Sequence, residues 1–150
     1  MSATCELPRK NATPDEIRAI LKAARRVAVV GHSDRPDRDS YRVGRYLADQ
    51  GYEVFPVNPR AASETSKTAG IRFYPDLASV PGPIDVVDIF RRGEAIPAIV
   101  DEAIRIGAKV IWMQDGLAHN AAAEKARAAG LSVVMSRCMM RDHRALIAAP

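Results

Sequence analysis

The sequence predicts a single α/β domain: a doubly wound, mainly parallel, Rossmann-like sheet with helices on both faces. Three observations carry this. Apolar runs of four to six residues recur at 27–30, 53–57, 85–90, 109–113 and 132–135, and continuous runs of this kind mark strands buried on both sides. Segments with helical spacing separate most of them, which requires crossover connections and therefore parallel pairing. The length of 150 residues, with 47% hydrophobic and 27% charged content, suits one folded domain, and no repeat or linker divides it.

Each element has a local cause. Residues 1–12 are polar and irregular, and a flexible N-terminal tail is expected there, with the single domain spanning 13–150. Thr13-Pro14-Asp15-Glu16 is a helix start, in which Thr13 caps, Pro14 suits the first turn and Glu16 completes a capping box. Ile17, Ile20 and Leu21 give the following helix its apolar face. The strand at 27–30 ends at Gly31. After a loop over 32–39, Ser40 is placed to cap a helix carrying Tyr41, Val43, Tyr46 and Leu47, closed by Gly51. The strand at 53–57 stops at Asn58-Pro59. A polar connection over 60–69 leads to a short strand at 71–74, and residues 75–81 read as one helical turn. The remaining pattern gives a strand at 85–90, a helix at 96–106, a strand at 109–113, a helix at 121–129, a strand at 132–135 and a final short helix over 141–148. About five main strands result.

Composition removes several function classes. Aromatic residues make up 5% of the chain, too few for base-stacking platforms. The net charge of +4 fits a polyanionic small ligand or weak nucleic-acid attraction and decides between neither; the expected partner is a small-molecule nucleotide ligand, with neither nucleic acid nor membrane. No apolar run approaches the roughly 20 residues of a membrane span, and the amino terminus has no signal-peptide core. Cys5 and Cys138 show no metal-ligand or disulfide spacing, which fits a reducing setting, so a cytoplasmic location is expected.

An open parallel sheet binds ligands beyond the carboxyl ends of its strands, where strand order reverses. That rule selects Gly31-His32-Ser33, Asn58-Pro59-Arg60, Phe90-Arg91-Arg92, Gln114-Asp115-Gly116 and Arg137-Cys138. Gly31 permits close backbone approach, Ser33 offers a hydroxyl, and the helix beginning near Ser40 aims its amides and positive dipole end at the same space. The three-glycine dinucleotide pattern is absent, since the next glycine after Gly31 is Gly44. Nicotinamide-binding domains usually place an acidic residue after the second strand for the ribose 2′-hydroxyl; Asn58, Pro59 and Arg60 stand there instead. Arg60 disfavours NAD and leaves two ligands with an extra ribose phosphate, NADP and coenzyme A. Arg91 or Arg92 would neutralise a diphosphate, and Phe90 would contact an adenine or pantetheine surface. No catalytic residue is assigned: His32, His119 and His143 are scattered, and no nucleophile-base order or carboxylate dyad can be argued. No metal site is expected, and Asp34, Asp37 and Asp39 read as loop carboxylates. Met139, Met140 or the last helix suits a dimer contact or the core equally.

The motifs VAVVGHS (27–33), SYRV (40–43), YEVFPVNPR (52–60), YPDL (74–77), DVVDIFRR (85–92), IWMQDG (111–116) and VMSRC (134–138) stand in the order of a known family. The chain resembles stand-alone CoA-binding domain proteins of the YccU-like type, which are similar to the amino-terminal CoA-binding domain of the succinyl-CoA synthetase α subunit. The resemblance covers residues 12–146 and implies coenzyme A, or an acyl-CoA, as ligand. It implies Gly31, His32 and Ser33 at the diphosphate, with Arg42 nearby. Asn58, Pro59 and Arg60 would lie at the adenosine and its 3′-phosphate, Phe90 and Arg91 beside the adenine or diphosphate, and Gln114 and Gly116 by the pantetheine. His32 stands where the family has a small residue, which is expected to narrow the phosphate approach, and Arg60 stands where Lys is common. The chain ends before any phosphohistidine or ligase domain, so synthetase activity is not carried over. The expected function is CoA binding without catalysis. The alternatives are a small NADP-dependent oxidoreductase and a metabolite-sensing regulatory partner, and a homodimer or an unidentified protein partner stays open.

Overall fold

The computed structural model describes residues 6–62, 64–68, 70 and 72–148. Five strands, β1 (Arg26–Val30), β2 (Glu53–Val57), β3 (Val86–Ile89), β4 (Val110–Met113) and β5 (Ser132–Val134), form one all-parallel sheet in the order β2-β1-β3-β4-β5. The helices are α1 (Pro14–Ala23), α2 (Asp39–Asp49), α3 (Ile96–Arg105), α4 (Asn120–Ala128) and α5 (Met139–His143), the last continued by a π-helical stretch at Arg144–Ala148. The doubly wound, Rossmann-like architecture expected from the sequence is therefore the one observed. The order in which strands are added reverses between β1 and β3, so the ligand-binding crevice of such a fold lies beyond their carboxyl ends.

Alternation along each strand divides the core in two. Ala28, Val87, Ile89, Ile111, Met113 and Val133 face α3 and α4, packing against Ile96, Val100, Ala122 and Ala126. Val27, Val29, Val86, Trp112 and Val134 face α1, α2 and α5. Met139 is fully buried on this second side and belongs to the core. Cys138 is buried there as a free thiol, whereas Cys5 lies outside the described residues.

Local rules explain most element boundaries. Thr13 Oγ1 accepts from the Glu16 amide at 3.2 Å and Glu16 Oε1 accepts from the Thr13 amide at 2.8 Å, the expected capping box. α2 departs from expectation: it begins at Asp39 with no side-chain cap, and Ser40 Oγ instead accepts from the Ser33 amide at 3.0 Å. The short strand expected at 71–74 is replaced by isolated bridges, Tyr74 to Val57 and Arg72 to Thr65, with Ile71 outside the described residues. Tyr74 donates to the Pro56 carbonyl, and Pro75, which has no N–H, cannot extend the ladder. Pro56 itself is accommodated because β2 is an edge strand.

Of the segment read as a tail, residues 1–5 lie outside the described residues and 6–12 run against the body of the domain. The Asn11 side chain bonds both the amide and the carbonyl of Met135, at 2.9 and 2.8 Å. Asn120 bonds Glu6 and Leu7. Two amide side chains thus do the tying, a role that polar composition alone does not reveal. No helix among the described residues is long and apolar enough to cross a membrane.

Candidate functional site

A cleft of ≈ 880 Å³ opens at the carboxyl ends of β1, β2 and β3, within the range of small-molecule sites. Its floor is the turn after β1. Gly31 adopts φ 87°, and its amide donates to the Val57 carbonyl at 2.8 Å, folding the turn over the end of β2. A side chain at this position would be strained, and a Cβ there would stand 3.0 Å from Arg91 Cδ. The glycine therefore seats the aliphatic stem of Arg91 across the turn.

The second wall is the loop from Ser33 to Arg38 with the start of α2. No side chain caps this helix; the Arg38 carbonyl accepts from the Tyr41 and Arg42 amides, and Asp39 and Ser40 at the positive dipole end line the cleft with Ser33 and Arg38. The third wall follows β2. Asn58 Nδ2 donates to the His32 carbonyl at 2.9 Å while Oδ1 accepts from the Arg60 amide at 3.0 Å, shaping the 3₁₀ turn Pro59–Ala61. The last wall, after β3, carries Phe90, Arg91, Arg92, Glu94 and Ala95.

The charges are unevenly paired. Five arginines, Arg35, Arg38, Arg60, Arg91 and Arg92, line the cleft against three acids, Asp37, Asp39 and Glu94. Arg35 lies 3.5 Å from Asp37, and Asp39 is taken by Arg42. Arg38, Arg60, Arg91 and Arg92 have no ion-pair partner among the described residues. Four guanidinium groups without an ion-pair partner among the described residues, beside an uncapped helix start, concentrate positive charge that a polyanion could neutralise.

Of the residues singled out from the sequence, Gly31, Ser33, Asn58, Arg60, Phe90 and Arg91 come together on this cleft; His32, Arg42, Pro59, Gln114 and Gly116 do not line it. The His32 side chain is fully buried and turned under α2, where a Cβ on Gly44 would lie 2.7 Å from its ring. Its ring also packs on Phe73 at 5.8 Å between centroids. The expected narrowing of the phosphate approach by His32 therefore does not arise, because the mid-helix glycine makes room for the imidazole away from the cleft. Burial pushes the His32 pKa below its ordinary value, partly opposed by the nearby Asp34 carboxylate. The Arg42 guanidinium is committed to Asp39. Pro59 opens the 3₁₀ turn. Gln114 is buried, and its side-chain oxygen accepts from the Met139 amide at 3.1 Å, which starts α5. The Gly116 amide donates to Ser136 Oγ at 3.2 Å.

Sequence reasoning missed Arg35 and Arg38. In an acid-rich loop both read as solvated charges, although the loop's position after β1 at the strand-order reversal was an available signal. Among the described residues no group of three or more His, Cys, Asp or Glu is placed to hold a metal ion. Ser33 Oγ accepts from the Arg35 amide and Ser40 Oγ from the Ser33 amide, and neither hydroxyl has a base in hydrogen-bond reach.

Comparison with known proteins adds four findings. Residues 25–144 match the family model described as a CoA binding domain. The uncharacterized protein YneT of Bacillus subtilis is 38% identical over 134 residues, covering 89% of this chain and 96% of that one. A hypothetical protein of Pyrococcus horikoshii has a solved structure that superposes with a TM-score of 0.85 at 38% identity, covering 98% of this chain and 99% of that one. The α subunit of acetate–CoA ligase (ADP-forming) I of Pyrococcus furiosus is 26% identical over 87 residues, which is 57% of this chain and 19% of that subunit.

Proposed function

The chain belongs to the CoA-binding domain family, and from that premise we propose that its cleft binds coenzyme A, free or acylated, as a binding module without chemistry of its own. The observation that carries this reading is the set of four unpaired arginines around the uncapped start of α2. A diphosphate is placed over Gly31 and the first amides of α2, where the helix dipole and Arg91 favour it. Arg60, across the cleft at the end of β2, takes the ribose 3′-phosphate. Phe90 and Ala95 offer the apolar side for the adenine or the start of the pantetheine arm. Gln114 and Gly116 are given no part, since neither lines the cleft and the Gln114 side-chain oxygen and the Gly116 amide already serve α5 and Ser136. The absence of a paired nucleophile and base on the described cleft supports binding over catalysis.

Calorimetric titration with CoA, dephospho-CoA and NADPH tests this. CoA is expected to bind at sub-millimolar concentration, ahead of both rivals. Binding of NADPH without CoA would overturn the proposal. Replacing Arg60 by Ala should weaken CoA about tenfold, a charged hydrogen bond of roughly 1.4 kcal/mol, and leave dephospho-CoA nearly unchanged. Equal losses for the two ligands would take Arg60 away from the 3′-phosphate.

A further inference from the structure

The loop that brings Ser33, Arg35 and Arg38 to the cleft is held in an unusual way. Within the loop and α2 its bonds are local: the Ser33 amide to Ser40 Oγ, the Arg35 amide to Ser33 Oγ, and the Arg38 amide to the Arg35 carbonyl. Beyond residue 42, residues 33–38 hydrogen-bond to the rest of the described chain through one side chain only, that of Asp34. Asp34 stands between two cleft residues, yet its carboxylate turns away from the cleft. Oδ1 accepts from Ser66 Oγ at 3.1 Å and Oδ2 accepts from the Lys67 amide at 2.8 Å.

The segment receiving this carboxylate is shaped for it. Ser66 is fully buried although both of its neighbours are exposed. Its Oγ accepts from the Thr68 amide at 3.2 Å and its carbonyl accepts from the Gly70 amide at 2.8 Å, a compact turn around the point of attachment. Thr68 Oγ1 then lies 3.1 Å from His32 Nε2, which is itself 3.7 Å from Asp34 Oδ1. The His32 carbonyl is held by Asn58. Two residues of the β1 turn on either side of Ser33, one buried imidazole and one carboxylate, thus fasten the cleft loop from behind.

We propose that Asp34, seconded by His32, is a positioning residue of the cleft: its clasp on residues 66–68 holds Ser33, Arg35 and Arg38 where a phosphate-bearing ligand meets them. The clasp acts without touching the ligand. It orders the loop before binding, so that the ordering entropy is not charged against affinity. Cutting it leaves every ligand-facing group in place and frees the wall that carries them. The ligand part of this inference rests on the CoA reading, while the clasp itself does not.

The test uses the full chain with Asp34→Ala, Asp34→Asn and Thr68→Val. In ligand-free protein, hydrogen exchange at the amides of Lys67 and Arg38 should quicken tenfold or more in Asp34→Ala, with amides of β1 and β3 unchanged. Affinity for CoA should fall about five- to tenfold, Asp34→Asn should recover part of it through its remaining oxygen, and Thr68→Val should show a smaller loss. Unchanged exchange at Lys67 and Arg38 would overturn the clasp. Faster exchange with unchanged affinity would overturn its positioning role. The titrations are repeated with inorganic pyrophosphate: a wild type that takes pyrophosphate and refuses CoA overturns the CoA reading, yet still decides the positioning role by the loss in Asp34→Ala.

Discussion

The carboxyl edge of the sheet carries arginines at both ends, and they are treated in opposite ways. Beyond β1, β2 and β3, Arg38, Arg60, Arg91 and Arg92 line a cleft, and none of the four has a carboxylate in ion-pair reach among the described residues. Beyond β4 and β5, Arg137 makes two bonds of 2.7 Å to the buried carboxylate of Asp142, and Arg141 reaches Asp115 at 2.6 Å. These partners raise the pKa of both Arg137 and Arg141 above the ordinary value. The neutral groups follow the same division. Gln114 and Ser136 each accept from a backbone amide, whereas the amides opening α2 meet no capping side chain. An arginine that already holds a bidentate carboxylate has little left to offer a phosphate. Pairing state, rather than arginine content, separates the end proposed for the ligand from the end whose arginines serve the fold.

The largest expected effect comes from a carboxyl group that, among the described residues, no arginine meets. Asp88 lies in β3, fully buried beside Val29 and Trp112 in register, and neither of its oxygens has a hydrogen-bond partner. Burial pushes its pKa well above 3.8, so the folded protein keeps a proton that the unfolded chain releases. The native state then binds more protons, and this contribution to stability is present in full below the unfolded value and lost as pH rises through the folded one. The slope is at most about 1.4 kcal/mol per pH unit. Thermal melts of wild type and Asp88→Asn from pH 5 to pH 8 should therefore diverge, with wild type losing ground as pH rises. A constant difference would mean that burial does not hold the Asp88 proton across this range.

Next in size is Arg91→Ala, which removes an unpaired cation and the stem lying on Gly31. CoA affinity should fall about ten- to hundredfold by titration, roughly 1.4–2.8 kcal/mol, with the melting temperature held. The loss should shrink as salt is raised from 50 to 500 mM, because an open cleft is screened. A drop in melting temperature without loss of affinity would place Arg91 with the structural arginines.

How much of this was legible in the sequence follows from the same physics. The strands were readable because burial on both faces leaves long apolar runs, and α1 because Thr13 and Glu16 satisfy a local rule. Within the site, Gly31, Ser33, Asn58, Arg60, Phe90 and Arg91 were readable from one topological rule about strand ends. His32 and Gln114 misled that rule, since it locates a residue at an edge and says nothing of where its side chain turns. The rotation of His32 depends on the absent Cβ of Gly44, 12 positions away in the chain, and Gln114 on an amide of α5. The partnering of arginines is a fact of three-dimensional pairing: Arg38 stands between Asp37 and Asp39 and Arg141 beside Asp142, yet neither pairs with its neighbour, and Arg141 bonds the distant Asp115 instead.

The smaller effects belong to the paired end, and there the prediction separates two arginines that look alike in sequence. Asp142→Ala removes a buried carboxylate and leaves the Arg137 guanidinium, 42% exposed, to be met by water. Because water can take over part of the lost bonding, the cost should be about 1–2 kcal/mol. At this chain length that is a fall of roughly 2–8 °C in melting temperature, with CoA affinity within about twofold of wild type. Arg141 and Asp115 are 62% and 48% exposed, so screening leaves their attraction small. Arg141→Ala should change stability by less than about 0.5 kcal/mol and leave CoA binding unmoved at any salt concentration. If instead Arg141→Ala weakened CoA as strongly as Arg91→Ala, the ligand would have to extend over β4 and β5. The pairing of Arg141 with Asp115 would then be a closed state that the ligand opens, and both ends of the edge would form one site.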